Sequence, residues 1–478
     1  MKGSIIMLAR RYALAASLLI AAPVAGARAD DALSPELQSF REIYRELVEI
    51  NTTDSVGDTV KAAEAMAARL REAGLPEADI QVLSSGPRKG NLVARLRGTG
   101  ARKPLLLIAH IDVVEAKRED WDFDPFALQE VDGYFRGRGT IDDKAMAASF
   151  IANLIQYVKE GFKPDRDIIV ALTADEELSD SPHDGAKWLL QHHRDLIDAA
   201  LAINEGGGGA LKDGKPARLS IQLAEKIYQS YRLEVKDPGG HSSVPRPENA
   251  IYRLADGLRR LADFAFPIRL NPVTQAYFER VAATEAPTVA DAIKALLAGS
   301  SDARALAPLV ENPGYNAQIR TTCVATMLEA GHAENALPQT ARATVNCRIQ
   351  PNEAVPDVER ALVGAIADPK IAVTPIGSAV LSPPSALDPE VMDAVSRLSA
   401  EMWPGVPVIP TLSTGYTDSR WLRNAGIPSY GVSGLFTDPN HNGVHGLNEQ
   451  VGVQQLYDSR LFLYRLVKTL AKKGAPTD

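Results

Sequence analysis

The sequence predicts an α/β protein: a mostly parallel central sheet flanked by helices, with an α+β domain inserted into it. Three observations lead there. Short, largely apolar runs at 104–109, 167–173 and 199–203 alternate with helical periodicity at 144–159 and 186–193, and buried strands separated by helices imply parallel pairing. After the glycine run 206–209 the pattern changes to alternating strands near 228–235 and 341–349, which bracket a mostly helical stretch at 250–307. Finally, the 478 residues exceed what one hydrophobic core holds, about 250–300 residues.

Taken in order, Lys2, Arg10 and Arg11 precede an apolar stretch at 12–26 and the small-residue site Ala27-Arg28-Ala29. That is the layout of a cleaved export signal. The run is interrupted by Pro23 and falls short of the roughly 20 residues that span a bilayer. Cleavage after Ala29 is therefore expected, leaving a periplasmic or secreted chain with no membrane contact. Helical spacing of apolar residues over 35–50 and 59–73 opens the mature chain, and β-rich runs follow at 80–83 and 91–96. The α/β pattern resumes after about 352. The expected organisation is a signal over 1–29, a catalytic domain in two parts over 30–225 and 352–478, and a lid or dimerisation domain inserted over 226–351.

Hydrophobic residues at 45% and charged residues at 23% describe an ordinary globular protein. The net charge of −8 is spread along the chain with no basic block, which argues against nucleic acid and anionic membrane surfaces as partners. With only two cysteines, Cys323 and Cys347, neither a disulfide framework nor a thiolate zinc site can be built. The two flank a turn-rich segment near Asn335, and both a disulfide across a hairpin and a pair of buried thiols stay open.

The chemistry gathers where apolar strands end. In Leu105-Leu-Leu-Ile-Ala-His110-Ile-Asp112, His and Asp stand two residues apart at a strand terminus, so both point the same way. A metal-binding imidazole needs an acceptor that fixes its tautomer, and Asp112 is placed to be one. Gly137-Arg-Gly-Thr-Ile-Asp142-Asp143-Lys144 opens a helix on two acids, and helix capping alone would account for one of them. Asp175-Glu176-Glu177 puts three acids in a row at a buried strand's end, where like charges call for a cation or a raised pKa. Adjacent residues point apart, so one glutamate can bind metal while its neighbour faces an attacking water. Asn204-Glu205-Gly206 follows another short apolar strand. Ligands in open α/β sheets collect at the carboxyl ends of strands, so one pocket would gather them all.

These motifs resemble the co-catalytic zinc metallopeptidases, the family of aminoacylase, glutamate carboxypeptidase and succinyl-diaminopimelate desuccinylase. The match is nearest the carboxypeptidase S and N-acyl-amino-acid hydrolase branch. The resemblance rests on His110-x-Asp112, Gly137-Arg-Gly-x-x-Asp142-x-Lys144, Asp175-Glu176-Glu177, Asn204-Glu205-Gly206, Gly240-His241-Ser-Ser, Asn335-Ala-Leu-Pro338, Arg348-x-x-Pro351, Thr417-Asp418-Ser-Arg420 and His445-Gly-x-Asn-Glu449, in family order. It implies a zinc-peptidase-like fold in which Asp142 bridges two metal ions. One ion would add Glu177 and His445, the other His110 and Glu205. Glu176 would take a proton from the attacking water and return it to the leaving amine. His441 is the rival for the last ligand, but Gly446 and Glu449 follow His445 as in the family. A His and carboxylate set suits Zn2+, with Co2+ or Mn2+ as alternatives.

The same resemblance makes His241 the oxyanion donor of the lid, often reaching a partner subunit's site. It makes Asn335 a polar companion and Arg348 the group that pairs with a substrate carboxylate. For each the plain alternative is a turn residue or a strand-surface charge. The long segment between His241 and Asn335 leaves open whether His241 acts within one chain or across a homodimer. The function expected is hydrolysis of small peptides next to a free C-terminal carboxylate, of the carboxypeptidase or dipeptidase type. An N-acyl-amino-acid deacylase is the alternative, and a non-catalytic periplasmic binding protein is the alternative of another class.

Overall fold

The computed structural model describes residues 33–178, 181–438 and 440–472. The expected export signal at 1–29 lies outside them. Among the described residues no helix is long and apolar enough to cross a membrane.

The large sheet has ten strands. At its centre Leu105–His110 lies between Ile168–Thr173 and Leu201–Asn204, parallel to both, and Ser429–Gly431 continues the parallel run beside Leu201–Asn204. The first two strands, Ile80–Gly86 and Lys89–Leu96, add on antiparallel at one edge, so the sheet is mixed at its margins and parallel where the motifs sit. All six residues of Leu105–His110 and of Ile168–Thr173 are buried, as strands covered by helices on both faces must be. Helix Lys144–Lys159 is buried almost all round and packs, with Pro35–Glu49 and Val453–Ala471, into the main core. An interior helix loses its polar face for that reason.

The second sheet has four antiparallel strands in the order Thr322–Ala330, Thr340–Ile349, Ile227–Lys236, Ile371–Ile376. Helices Ala250–Asp263 and Val355–Ile366 cover one face, giving a separate core of Tyr231, Leu233, Leu254, Val345, Leu362 and Ile371 among others. This unit runs past residue 351, the bound expected from sequence. The Val355–Ile366 helix and the Ile371–Ile376 strand complete it because their apolar residues face this core rather than the larger one.

The helices at 272–319 also divide differently from expectation. Phe278, Val281, Ile293, Leu296 and Leu309 pack together with Ile409 of the large sheet. Strand Thr322–Ala330 escapes sequence reading because it is an edge strand whose outer residues are nearly all exposed, so no alternation marks it. Its Cys323 lies opposite Cys347, and the two form a disulfide.

Candidate metal centre

Three neighbouring parallel strands deliver the cluster from their carboxyl ends. His110 closes the middle strand. There Nδ1 donates to the carbonyl oxygen of Asp112 at 3.0 Å, which leaves Nε2 to face Asp142 Oδ1 at 2.9 Å and Glu205 Oε1 at 3.9 Å. His445 approaches from the other side, its Nε2 lying 3.0 Å from Asp142 Oδ2 and 3.1 Å from Glu177 Oε1. The side chains thus form two groups of potential metal ligands, His110 with Asp142 and Glu205, and Asp142 with Glu177 and His445. Asp142 belongs to both, one oxygen to each.

Neither Asp142 nor its neighbour caps the following helix with its side chain. Asp143 occupies the N-cap position of Lys144–Lys159 but caps nothing with its side chain, and its buried Oδ2 has no partner. Asp175 is removed from the cluster by its backbone, which adopts φ 59°. Its carboxylate is held by Lys89 Nζ at 2.6 Å and Ser181 Oγ at 2.7 Å. The like-charge problem of the three consecutive acids is therefore solved by turning one away.

Asp112 meets His110 chiefly through its main chain. Its carboxylate stands 3.6 Å from His110 Nδ1 and instead accepts the backbone N–H groups of Glu176 and Glu177 at 3.2 and 3.1 Å. The imidazole is oriented by the main chain of Asp112, while the side chain holds the turn that presents the two glutamates.

The electrostatics call for positive charge. Burial, reinforced by Glu205, pushes the Glu176 carboxyl well above its ordinary range, and burial does the same for Glu205 and Asp143. Hydrogen bonds to Asp142 and Glu177 lift His445 to about 10. At His110 burial opposes the charged ring, but Asp112, Asp142 and Glu205 outweigh it and hold the pKa well up. Buried acids crowded together in this way need cations. The donor set, two imidazoles and carboxylates around a shared aspartate, fits two divalent ions.

These ligands open onto a pocket of about 330 Å³ whose walls include Glu176, Arg348 and Tyr416. Glu176 is 6% exposed and its Oε1 has no partner among the described residues. Arg348 lies over the Tyr228 ring at 4.8 Å, and its buried Nη1 is likewise unpartnered. His241 and Asn335 do not line this pocket. They meet each other, since Gly240–His241 pairs with Ala336–Leu337 and Ser242 N donates to Asn335 O at 3.0 Å, and both are exposed. Their strand pair forms a small sheet of its own, apart from the strands that carry the metal cluster. His441 is 76% exposed in its side chain and pairs with Asp438, whereas His445 joins Asp142 and Glu177 in a candidate ligand group.

Three residues of the sequence motifs prove to be built into the site without having been assigned a part. Glu449, fully buried, accepts from Arg138 Nη1, Gly139 N, Ile141 N and Asp142 N, tying the His445 loop to the Asp142 loop. Asp418 accepts from Thr173 Oγ1 at 2.7 Å, and burial raises it to about 8. Arg420 stacks on Tyr416 at 3.8 Å, which sets one wall of the pocket. Their presence in Thr417-Asp418-Ser-Arg420 and His445-Gly-x-Asn-Glu449 was the available signal. The turn after Glu205 needs its glycines, for a Cβ on Gly207 would stand 2.0 Å from Gly431 O.

A parallel sheet presenting paired His and carboxylate clusters, with a second α+β domain beside them, defines a metal-dependent hydrolase of peptide-type bonds. The chain belongs to peptidase family M20/M25/M40, whose model matches residues 106–469. It is 32% identical over 383 residues to the N-fatty-acyl-amino acid synthase/hydrolase PM20D1 of Xenopus tropicalis, covering 78% of this chain and 73% of that one. It is 30% identical over 273 residues to carboxypeptidase S of Saccharomyces cerevisiae, covering 54% and 46% respectively. Among solved structures, an M20 metallo-carboxypeptidase from Sulfolobus solfataricus superposes with a TM-score of 0.65 at 16% identity over 92% of this chain and all of that one. Human carnosine dipeptidase 1 gives 0.61 at 16% identity over 91% and 98%. These last two likenesses establish the fold.

Proposed function

We propose that this hydrolase is an exported, dinuclear metal enzyme that cleaves an amide bond next to a free carboxylate. The observation that carries the reading is the sharing of Asp142 between two ligand groups in a pocket that also holds Glu176, whose Oε1 has no partner among the described residues, and Arg348, whose Nη1 has none while its Nε donates to Asn346 Oδ1. His110, Asp142 and Glu205 would hold one ion and Asp142, Glu177 and His445 the other, with Zn2+ suited to the donors. Bound ions would lower the pKa of water and polarise the amide carbonyl. Glu176, buried beside them with one oxygen unengaged, takes the proton of the attacking water and passes it to the leaving nitrogen. Arg348 offers a forked donor to the substrate carboxylate and orients the scissile bond.

N-Acyl amino acids and small peptides both carry that carboxylate. The names of the relatives, N-fatty-acyl-amino acid synthase/hydrolase and carboxypeptidase S, favour the first and allow the second. His241 and Asn335, exposed on the second domain, would complete the oxyanion site of a partner copy in a homodimer. The layout of residues 2–29 supports export, with cleavage after Ala29.

Glu176→Gln tests the assignment. The metal content is expected to stay at wild-type level while turnover of an N-acyl amino acid falls roughly 10²–10⁴-fold. Undiminished turnover with both ions in place would remove Glu176 from its role.

A further inference from the structure

Away from the metal pocket, a hollow of about 790 Å³ opens between helices Pro287–Leu297 and Ala303–Val310 and the extended segment before Pro272. That lies within the range of roughly 300–1,000 Å³ typical of small-molecule sites. Its walls are mainly aliphatic, with Ile268, Leu270, Leu296, Leu306 and Val310 prominent, and Ser300 and Ser301 add hydroxyls. Arg320 stands among them. It is 8% exposed, and its Nε has no hydrogen-bond partner. Among the described residues no acid forms an ion pair with its guanidinium. Glu311, which also lines the hollow, is exposed and does not pair with it. Glu353, beside Thr321 in the fold, is engaged by Thr321 Oγ1 and by Arg269 Nε at 3.0 Å. Burial without a counter-charge depresses the Arg320 pKa.

A buried cation with no acid paired to it among the described residues is costly, and a largely aliphatic hollow of this size open to one side is unusual unless something fills it. We propose that this hollow is a second, non-catalytic binding site for an aliphatic chain that ends in a carboxylate, with Arg320 pairing the head group and Leu296, Leu306 and Val310 sheathing the tail. The guanidinium fork matches a carboxylate bidentately. The wall chemistry favours a head group with an apolar tail, because an inorganic anion would leave the aliphatic surface wet. The site stands on its own residues and does not depend on the reaction assigned to the metal pocket.

The test is calorimetric titration of the purified, metal-loaded chain carrying Glu176→Gln, so that N-dodecanoylglycine is not consumed, with dodecanoate, N-dodecanoylglycine and dodecanol, while turnover is read with Glu176 intact. Dodecanoate is expected to bind, and each two-carbon shortening should weaken it roughly tenfold. Arg320→Met should weaken dodecanoate at least tenfold while leaving dodecanol unchanged, and Arg320→Lys should restore part of the loss. Leu306→Trp should block both. A preference for dodecanoate over N-dodecanoylglycine identifies a free fatty acid as the occupant, and the reverse identifies an acyl amino acid. Turnover of a short N-acetyl substrate should be unaltered in these variants. If Arg320→Met and Leu306→Trp bind dodecanoate as the wild type does, or if Arg348→Met abolishes that binding, the hollow is not the site.

Discussion

Glu449→Gln is the substitution that most directly probes how the metal centre is assembled. Glu449 has no exposed surface, and its two oxygens each accept two donors. Oε2 takes Arg138 Nη1 at 2.8 Å and Gly139 N at 2.9 Å; Oε1 takes Ile141 N at 2.6 Å and Asp142 N at 3.2 Å. Burial lifts the Glu449 carboxyl above its ordinary range despite Arg138 and these amides, so the ionised pair is no great net gain, yet it is expensive to break. A glutamine of the same shape keeps one accepting oxygen and turns an NH2 toward the other two donors. It also strips the counter-charge from Arg138, which is 2% exposed. Leaving one member of a buried pair uncompensated costs about 3–5 kcal/mol, and loosening a residue that supports metal ligands costs about 10- to 100-fold in metal affinity. Urea unfolding should therefore show a loss of that size. Chelator competition should show the ions leaving more readily, although every proposed ligand is intact. A variant with the wild-type unfolding midpoint and metal affinity within about twofold would refute the view that Glu449 braces the Asp142 and His445 loops.

Other expectations follow from single contacts. Arg348→Met should raise KM for carboxylate-bearing substrates about 10- to 100-fold, as loss of a charge-assisted hydrogen bond implies, and should leave KM for C-terminally amidated analogues nearly unchanged; equal effects on both would remove Arg348 from carboxylate recognition. Lys226, buried with Nζ donating to Arg320 O at 2.7 Å, has its pKa lowered by burial to about 7. Its folded pKa lies below the unfolded value, so its stabilising contribution is full above the unfolded pKa and is lost as pH falls toward 7. Lys226→Met should flatten the stability profile between about pH 7 and 10, and an unchanged slope in urea unfolding across that window would count against it. Replacing Cys323 and Cys347 by serine frees a loop of 24 residues and should cost about 3 kcal/mol, read as an earlier loss of structure in the four-stranded domain. A midpoint unaltered by the double change would show that the bridge adds nothing.

Much of the site could be read from sequence because its ligands sit at places that local rules mark. His110, Glu177 and Glu205 each stand at or just past the end of a buried apolar strand, and Asp142 just before a buried helix. Period-2 and helical patterns find such ends without any knowledge of contacts. Asp112 was legible as a neighbour of His110, but which donor its carboxylate would meet depends on a turn from a different strand.

The sequence by itself determined the α/β class, the strand ends that carry the acids, and the residue types able to hold two metal ions, since burial patterns and charge are properties of short segments. Only the tertiary structure decided that Asp175 turns away to Lys89, that His445 rather than His441 meets Glu177, and that Arg348 opens onto the metal pocket while His241 and Asn335 do not. It also carried the second domain past residue 351, through the strand at Ile371–Ile376. Each of these rests on where one backbone passes another, hundreds of residues apart in some cases, and no local preference encodes that.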